Sequence, residues 1–131
     1  MIKTWGLTHI ALKVTDLDRS SLFYQKLFGA REMYRESGFI QLQTPGSYDI
    51  IVLEKSKRFA NRKSGIQHFG FRLKKRGDMQ KLLNELGSAG AIIKESGEFV
   101  PGEPYVFFYD PDGYEIEIWF EKIPKQLSSF Q

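Results

Sequence analysis

The sequence predicts an α+β fold assembled from two copies of one strand–helix–three-strand module. Three internal matches carry that prediction. Gly6-Leu7-Thr8-His9-Ile10-Ala11-Leu12-Lys13-Val14 lies over Gly65-Ile66-Gln67-His68-Phe69-Gly70-Phe71-Arg72-Leu73 with glycine on glycine, histidine on histidine and apolar residues coinciding at four further places. At the same offset of 59 (68 − 9), Phe23, Tyr24, Leu27 and Phe28 fall over Leu82, Leu83, Leu86 and Gly87. Thr44-Pro45-Gly46-Ser47-Tyr48-Asp49-Ile50-Ile51 then lies without a gap over Asp110-Pro111-Asp112-Gly113-Tyr114-Glu115-Ile116-Glu117. The offset there is 66 (110 − 44), so the second copy carries about seven extra residues, expected in the loop around Gly97 to Pro104.

In the first copy the predicted elements are a strand at about 6–14, a helix at 18–28 and strands at 31–36, 38–43 and 48–54. In the second they are a strand at 65–73, a helix at 77–89 and strands at 91–95, 104–109 and 114–121. The strands rest on β-branched and aromatic runs bounded by Gly, Pro and Asp. Each helix shows one apolar face at i, i+1, i+4. Asp18 and Asp78 stand near the helix starts, where a carboxylate satisfies free N–H groups, and Gly29 and Gly87 suit the C-terminal stops. Asp110-Pro111-Asp112-Gly113 is a turn signal for a hairpin, because Pro pre-sets φ, Asp binds backbone N–H groups and Gly supplies positive φ.

The 131 residues make one domain, 1–131, with module one at about 5–54, a polar linker at 55–64, module two at about 65–121 and a tail at 122–131. Apolar residues at 41% and aromatics at 15% are enough to bury a core. The absence of cysteine excludes disulfides, thiolate metal sites and a cysteine nucleophile. No apolar run approaches the ~20 residues of a membrane span. Met1 to Gly6 is too short and too polar for a signal peptide, so a cytoplasmic address is expected. The net charge of +3 is spread over small clusters such as Lys74-Lys75-Arg76, without the dense stripe that nucleic-acid backbones need.

The two histidines are the only ones in the chain, and they occupy equivalent places in the two copies. Strand alternation puts His9 with Leu7, Ala11 and Lys13, against an apolar row of Thr8, Ile10, Leu12 and Val14 that should pack on the helices. The same parity puts Ile66, His68, Gly70 and Arg72 on the open, concave face. In the last strand Ile116, Ile118 and Phe120 form the helix-facing row, and Glu115, Glu117 and Trp119 share the other. A mid-strand carboxylate is costly unless paired or metal-bound, which singles out Glu117, whereas Glu115 lies nearer the turn and suits an exposed sheet face. His9, His68 and Glu117 together make a three-ligand site suited to one divalent ion of Fe, Mn, Zn, Ni or Co, with coordination positions left open.

Over residues 5–121 the chain resembles the vicinal oxygen chelate superfamily, also called the glyoxalase/bleomycin resistance/dioxygenase superfamily. The resemblance rests on Leu7-Thr8-His9-Ile10-Ala11-Leu12, Asp16-Leu17-Asp18-Arg19-Ser20 with Phe23-Tyr24, Ile66-Gln67-His68-Phe69-Gly70-Phe71, and Asp110 to Glu117. It implies a pair of βαβββ modules whose mixed sheet curls into a funnel with a helix outside each module, metal ligands at His9, His68 and Glu117, and a homodimer. It implies a divalent-metal-dependent enzyme, a lyase, isomerase, thiol transferase or dioxygenase, acting on a small anionic substrate that chelates the ion through vicinal oxygens. Lys94, Arg72, Tyr105 and Trp119 are the side chains expected around such a substrate. The fourth ligand used by glyoxalase I falls on Ile51 in the aligned copies, and an isoleucine binds no metal. The alternative is a metal-free sequestration protein of the bleomycin-resistance type.

Overall fold

A computed structural model describes Met1, Lys3, residues 7–57, 66 and 68–122. Expectations for Gly6, Gly65, Gln67, most of the linker (58–64) and most of the tail (123–131) lie outside the described residues. The fold is α+β, and the described residues form two helices and two four-stranded mixed sheets. The first module runs β1 (Ile10–Val14), α1 (Leu17–Phe28), β2 (Arg31–Glu36), β3 (Phe39–Gln43) and β4 (Ile51–Lys55). The second runs β5 (Phe69–Arg72), α2 (Met79–Ser88), β6 (Ile92–Glu98), β7 (Pro104–Tyr109) and β8 (Glu115–Trp119). Strand order is β1-β4-β3-β2 in one sheet and β5-β8-β7-β6 in the other. In each, the first strand pairs parallel with the fourth and the remaining pairs are antiparallel.

The chain groups into two compact units: 1–65 with 110–114, and 66–109 with 115–131. In the first, α1 lies against β3 and β4, and Leu12, Val14, Ile40, Leu42, Ile51 and Leu53 are buried. Asp16 is the N-cap of α1, its carboxylate accepting from the Arg19 amide at 3.0 Å, and Gly29 ends the helix at φ 67°. Asp18, expected near this cap, sits in the first turn and pairs instead with Arg35 at 2.9 Å. The 110–114 turn is fastened within this unit. Asp112 accepts from the Thr15 amide at 3.2 Å and Arg19 at 2.8 Å, Tyr24 donates to Asp110 at 2.7 Å, and Tyr114 donates to the Lys13 carbonyl at 2.8 Å. Asp110 also accepts from the Asp112 and Tyr114 amides, which closes the turn with Gly113 at φ 88°.

In the second unit α2 lies against β6, and Leu86 is its fully buried residue. Asp78 caps it, accepting from the Gln80 and Lys81 amides. The stop expected at Gly87 comes later. Ala89 is the C-cap, and Gly90 turns the chain at φ 96°. Ile116 and Ile118 of β8 are buried beside Val106 and Phe108 of β7, as strand alternation requires.

The two copies agree in structure more closely than the gapless alignments allow. Both second strands carry a bulge, between Glu32 and Tyr34 and between Ile93 and Glu95. The helix caps Asp16 and Asp78 are 62 apart (78 − 16), as are the buried Tyr24 and Leu86, so the second module inserts three residues before its helix. In the last strands Ala11 pairs with Val52 and Gly70 with Glu117. Since Ala11 and Gly70 each follow their histidine by two, Val52 is the counterpart of Glu117, and Ile51 is the counterpart of Ile116. The gapless alignment was one residue out because the loop from Gln43 to Ile51 is one longer than that from Tyr109 to Ile116. No helix among the described residues is long and apolar enough to cross a membrane.

Candidate metal centre

Both histidines stand one residue ahead of a strand, not inside it: His9 before β1 and His68 before β5. The ladders to β4 and β8 begin at Ile10 and Phe69, so the imidazole residues have no ladder partner and form the lip of each first strand.

His68 and Glu117 meet. The imidazole Nε2 lies 3.3 Å from Glu117 Oε2, with side-chain exposures of 31% and 13%. Two donors each about 2.1 Å from one ion, at angles between octahedral and tetrahedral, stand roughly 3.0–3.4 Å apart. The observed separation falls in that window, so the pair fits two adjacent positions on one ion. Burial raises the Glu117 carboxyl above its ordinary pKa, while the charge of His68 and its hydrogen bond pull the other way. A half-buried carboxylate beside an imidazole is a site that a cation would relieve.

Gly70 makes room for the backbone of Glu117. A Cβ at Gly70 would come within 2.9 Å of the Glu117 carbonyl oxygen and 3.4 Å of its Cβ. The edge of Phe107 closes one side of the His68 ring at a centroid distance of 5.0 Å.

The pair opens on a 420 Å³ cavity lined by His68, Phe69, Gly70, Phe71, Arg72, Glu117, Trp119 and Glu121. Arg72 is tied to Glu121 at 2.8 Å. Trp119 links the cavity to an aromatic cluster: Phe99 stacks on Tyr105 at 3.9 Å and meets Trp119 edge-on at 5.2 Å, and Tyr105 meets Phe107 at 5.5 Å. The Trp119 Nε1 and His68 Nδ1 atoms are buried without a hydrogen-bond partner among the described residues. Lys94 projects from the β6 bulge onto Glu115 at 2.7 Å, which raises the pKa of the amine.

His9 belongs to the first unit, where its ring is exposed and its Nδ1 shares a 2.6 Å hydrogen bond with Thr8 Oγ1. Among the described residues no group of three or more His, Asp or Glu forms a metal-holding cluster. Of the seven residues expected in the site, the second unit thus brings together His68, Glu117, Arg72 and Trp119 around the cavity, puts Tyr105 in the adjoining aromatic cluster and turns Lys94 to Glu115. Glu121, Phe99 and Phe107 were missed. Glu115 was expected on an exposed face and is instead 14% exposed, its Oε2 lying 3.7 Å from His68 Nδ1. Its shared parity with Glu117 was the signal.

Residues 6–118 match the profile of the Glyoxalase/Bleomycin resistance protein/Dioxygenase superfamily. The uncharacterized protein PA2024 of Pseudomonas aeruginosa is 31% identical over 123 residues, covering 85% of each chain. The manganese-dependent 2,3-dihydroxybiphenyl 1,2-dioxygenase of Geobacillus genomosp. 3 is 25% identical over 115 residues, which are 86% of this chain and 36% of that one. The solved glyoxylase/bleomycin resistance protein/dioxygenase domain from Frankia sp. EAN1pec superposes with a TM-score of 0.75 at 25% identity, covering 92% of this chain and all of that one. The chain belongs to the Glyoxalase/Bleomycin resistance protein/Dioxygenase superfamily.

Proposed function

We propose that the protein is an enzyme dependent on one divalent metal ion, held by His9, His68 and Glu117, and that it acts on a small molecule with two vicinal oxygens. The observation that carries this reading is the 3.3 Å approach of His68 Nε2 to Glu117 Oε2 at the wall of a 420 Å³ cavity. His9 is the third ligand because it holds in the first module the place of His68. The ion would act as a Lewis acid on oxygens that fill its open positions. The reaction is that of a lyase, isomerase, thiol transferase or dioxygenase. Manganese is the first ion to try among Fe, Mn, Zn, Ni and Co, because a relative is named for it.

The chain's own residues shape the substrate. Arg72 and Lys94 are each paired with a carboxylate, so an anionic group at Arg72 shares the guanidinium with Glu121. The Trp119 face, backed by Phe99 and Tyr105, favours a flat apolar body beside the chelating oxygens. A homodimer is part of the proposal. Every residue of β2, an edge strand of its sheet, is exposed, Met33 and Tyr34 included, and Ile92 and Ile93 are exposed on β6, an edge strand of the other.

The test is metal analysis of untagged protein, followed by thermal-shift screening of catechols, 2-oxo acids, hydroxamates and phosphonates. The reading expects about one equivalent of metal and stabilisation of the metal-loaded form only. Stabilisation that persists unchanged after chelator treatment contradicts it and points to metal-free sequestration.

A further inference from the structure

We propose that Glu115, anchored by Lys94, is a positioning residue that accepts a hydrogen bond from the Nδ1–H of His68 and so presents Nε2 to the metal. The inference rests on the metal reading above. His68 is bracketed by two carboxylates of the same strand: Glu117 Oε2 is 3.3 Å from Nε2, and Glu115 Oε2 is 3.7 Å from Nδ1. Nδ1 is buried with no hydrogen-bond partner among the described residues, so the ring has one nitrogen that none of them satisfies. Glu115 Oε2 lies 3.7 Å from that nitrogen, and an approach of about 0.7 Å brings it to hydrogen-bond distance.

Glu115 is held in place for this. Its other oxygen, Oε1, accepts from Lys94 Nζ at 2.7 Å. Lys94 sits where β6 slips register against β7, at the bulge between Ile93 and Glu95. A bulge turns a side chain out of its alternating direction, and here it delivers an ammonium to the carboxylate. The edge of Phe107 at 5.0 Å limits rotation of the ring. A metal-ligating imidazole usually donates its second N–H to a carboxylate or carbonyl, which fixes its tautomer and orientation. In the first module the bulge residue is Met33 and the counterpart of Glu115 is Ile50, so this support is confined to His68.

The experiment titrates metal-free protein with Zn(II) by calorimetry for wild type, Glu115→Ala, Glu115→Gln, Lys94→Met and Glu117→Ala, with thermal melts as a folding check. It also reads the His68 tautomer from 15N–1H correlations of the zinc-loaded protein. Glu115→Ala should weaken Zn(II) binding about 10–100-fold, the usual loss for such a partner. Glu115→Gln, whose amide oxygen still accepts, should recover part of it, and Lys94→Met should fall between wild type and Glu115→Ala. Wild type should show the Nδ1–H tautomer at His68. Zn(II) binding by Glu115→Ala within twofold of wild type, or an Nε2–H tautomer in the loaded wild type, overturns the proposal while leaving the metal reading intact. Absence of Zn(II) binding by wild type removes both, and Glu117→Ala separates a lost ligand from a lost support. If Glu115→Ala melts early, Glu115→Gln and Lys94→Met decide.

Discussion

Val52 holds in the first module the place that Glu117 holds in the second: Val52 stands opposite Ala11 in the parallel ladder as Glu117 stands opposite Gly70. The duplication therefore carries a carboxylate in one copy and a valine in the other. The pair Ala11 and Gly70 differs in the same sense, with the smaller residue beside the larger acid.

Val52→Glu should place a carboxylate on the face that His9, Ala11 and Val52 share, whereas Ile51→Glu should drive one into the buried row beside Leu42. Without metal both variants should lose stability, Ile51→Glu by several kcal/mol and Val52→Glu by roughly 1–3. Metal should restore much of the loss to Val52→Glu, by mass action on the folded state, and none to Ile51→Glu. Thermal melts with and without Mn(II) read the difference. Rescue of Ile51→Glu alone would place the register one residue away from that seen here.

Much of this was legible in the sequence. The repeat, the element order and the alternation of Ile116 and Ile118 against Glu117 and Trp119 follow from apolar periodicity, which the core enforces. The register of Val52 was not legible, because a gapless match scores turn residues and strand residues alike, and the longer loop before β4 hides the slip. Glu115 was read as exposed from its distance to the turn. Its partner Lys94 reaches it only through a bulge, and bulges leave no mark in a period-two pattern. The aromatic cluster around Phe99 was hidden for a related reason: Phe99 lies in the five extra residues of the β6–β7 hairpin, which have no counterpart in the first copy.

Gly70→Ala should test how tightly β5 and β8 approach. The added Cβ would meet the Glu117 backbone oxygen at 2.9 Å, and backbone yields less readily than a side-chain tip. A loss of about 1–3 kcal/mol in urea unfolding is expected, with weakened metal binding because Glu117 must move. Unchanged stability and affinity would show that the strands part at no cost.

The turn at Asp110 should make stability depend on pH. Its carboxyl is pushed up from 3.8 to about 6, burial being the larger cause and the Tyr24 hydrogen bond the main opposing one. The folded state thus holds the proton more tightly than the unfolded chain does. Its stabilising contribution is complete below the unfolded pKa near ~3.9 and is lost as pH rises through about 6. The loss is at most about 3 kcal/mol, from a rise of roughly two units at about 1.4 kcal/mol each. Asp110→Asn keeps an oxygen for the Asp112 and Tyr114 amides and does not titrate. Its stability relative to wild type should therefore rise from pH 4 to pH 7 in urea unfolding. A difference constant across that range would contradict the assignment.

If His9, His68 and Glu117 are the ligands of one ion, as proposed, His9 is the decisive position, because it stands in the other unit from the His68–Glu117 pair. Metal-free protein titrated with Mn(II), with the free ion read by electron paramagnetic resonance, should bind about one equivalent. His9→Ala, His68→Ala and Glu117→Ala should each lower the affinity at least tenfold. Binding of one equivalent that is unaffected by His9→Ala, or no binding by wild type at all, would rule out the three-ligand site.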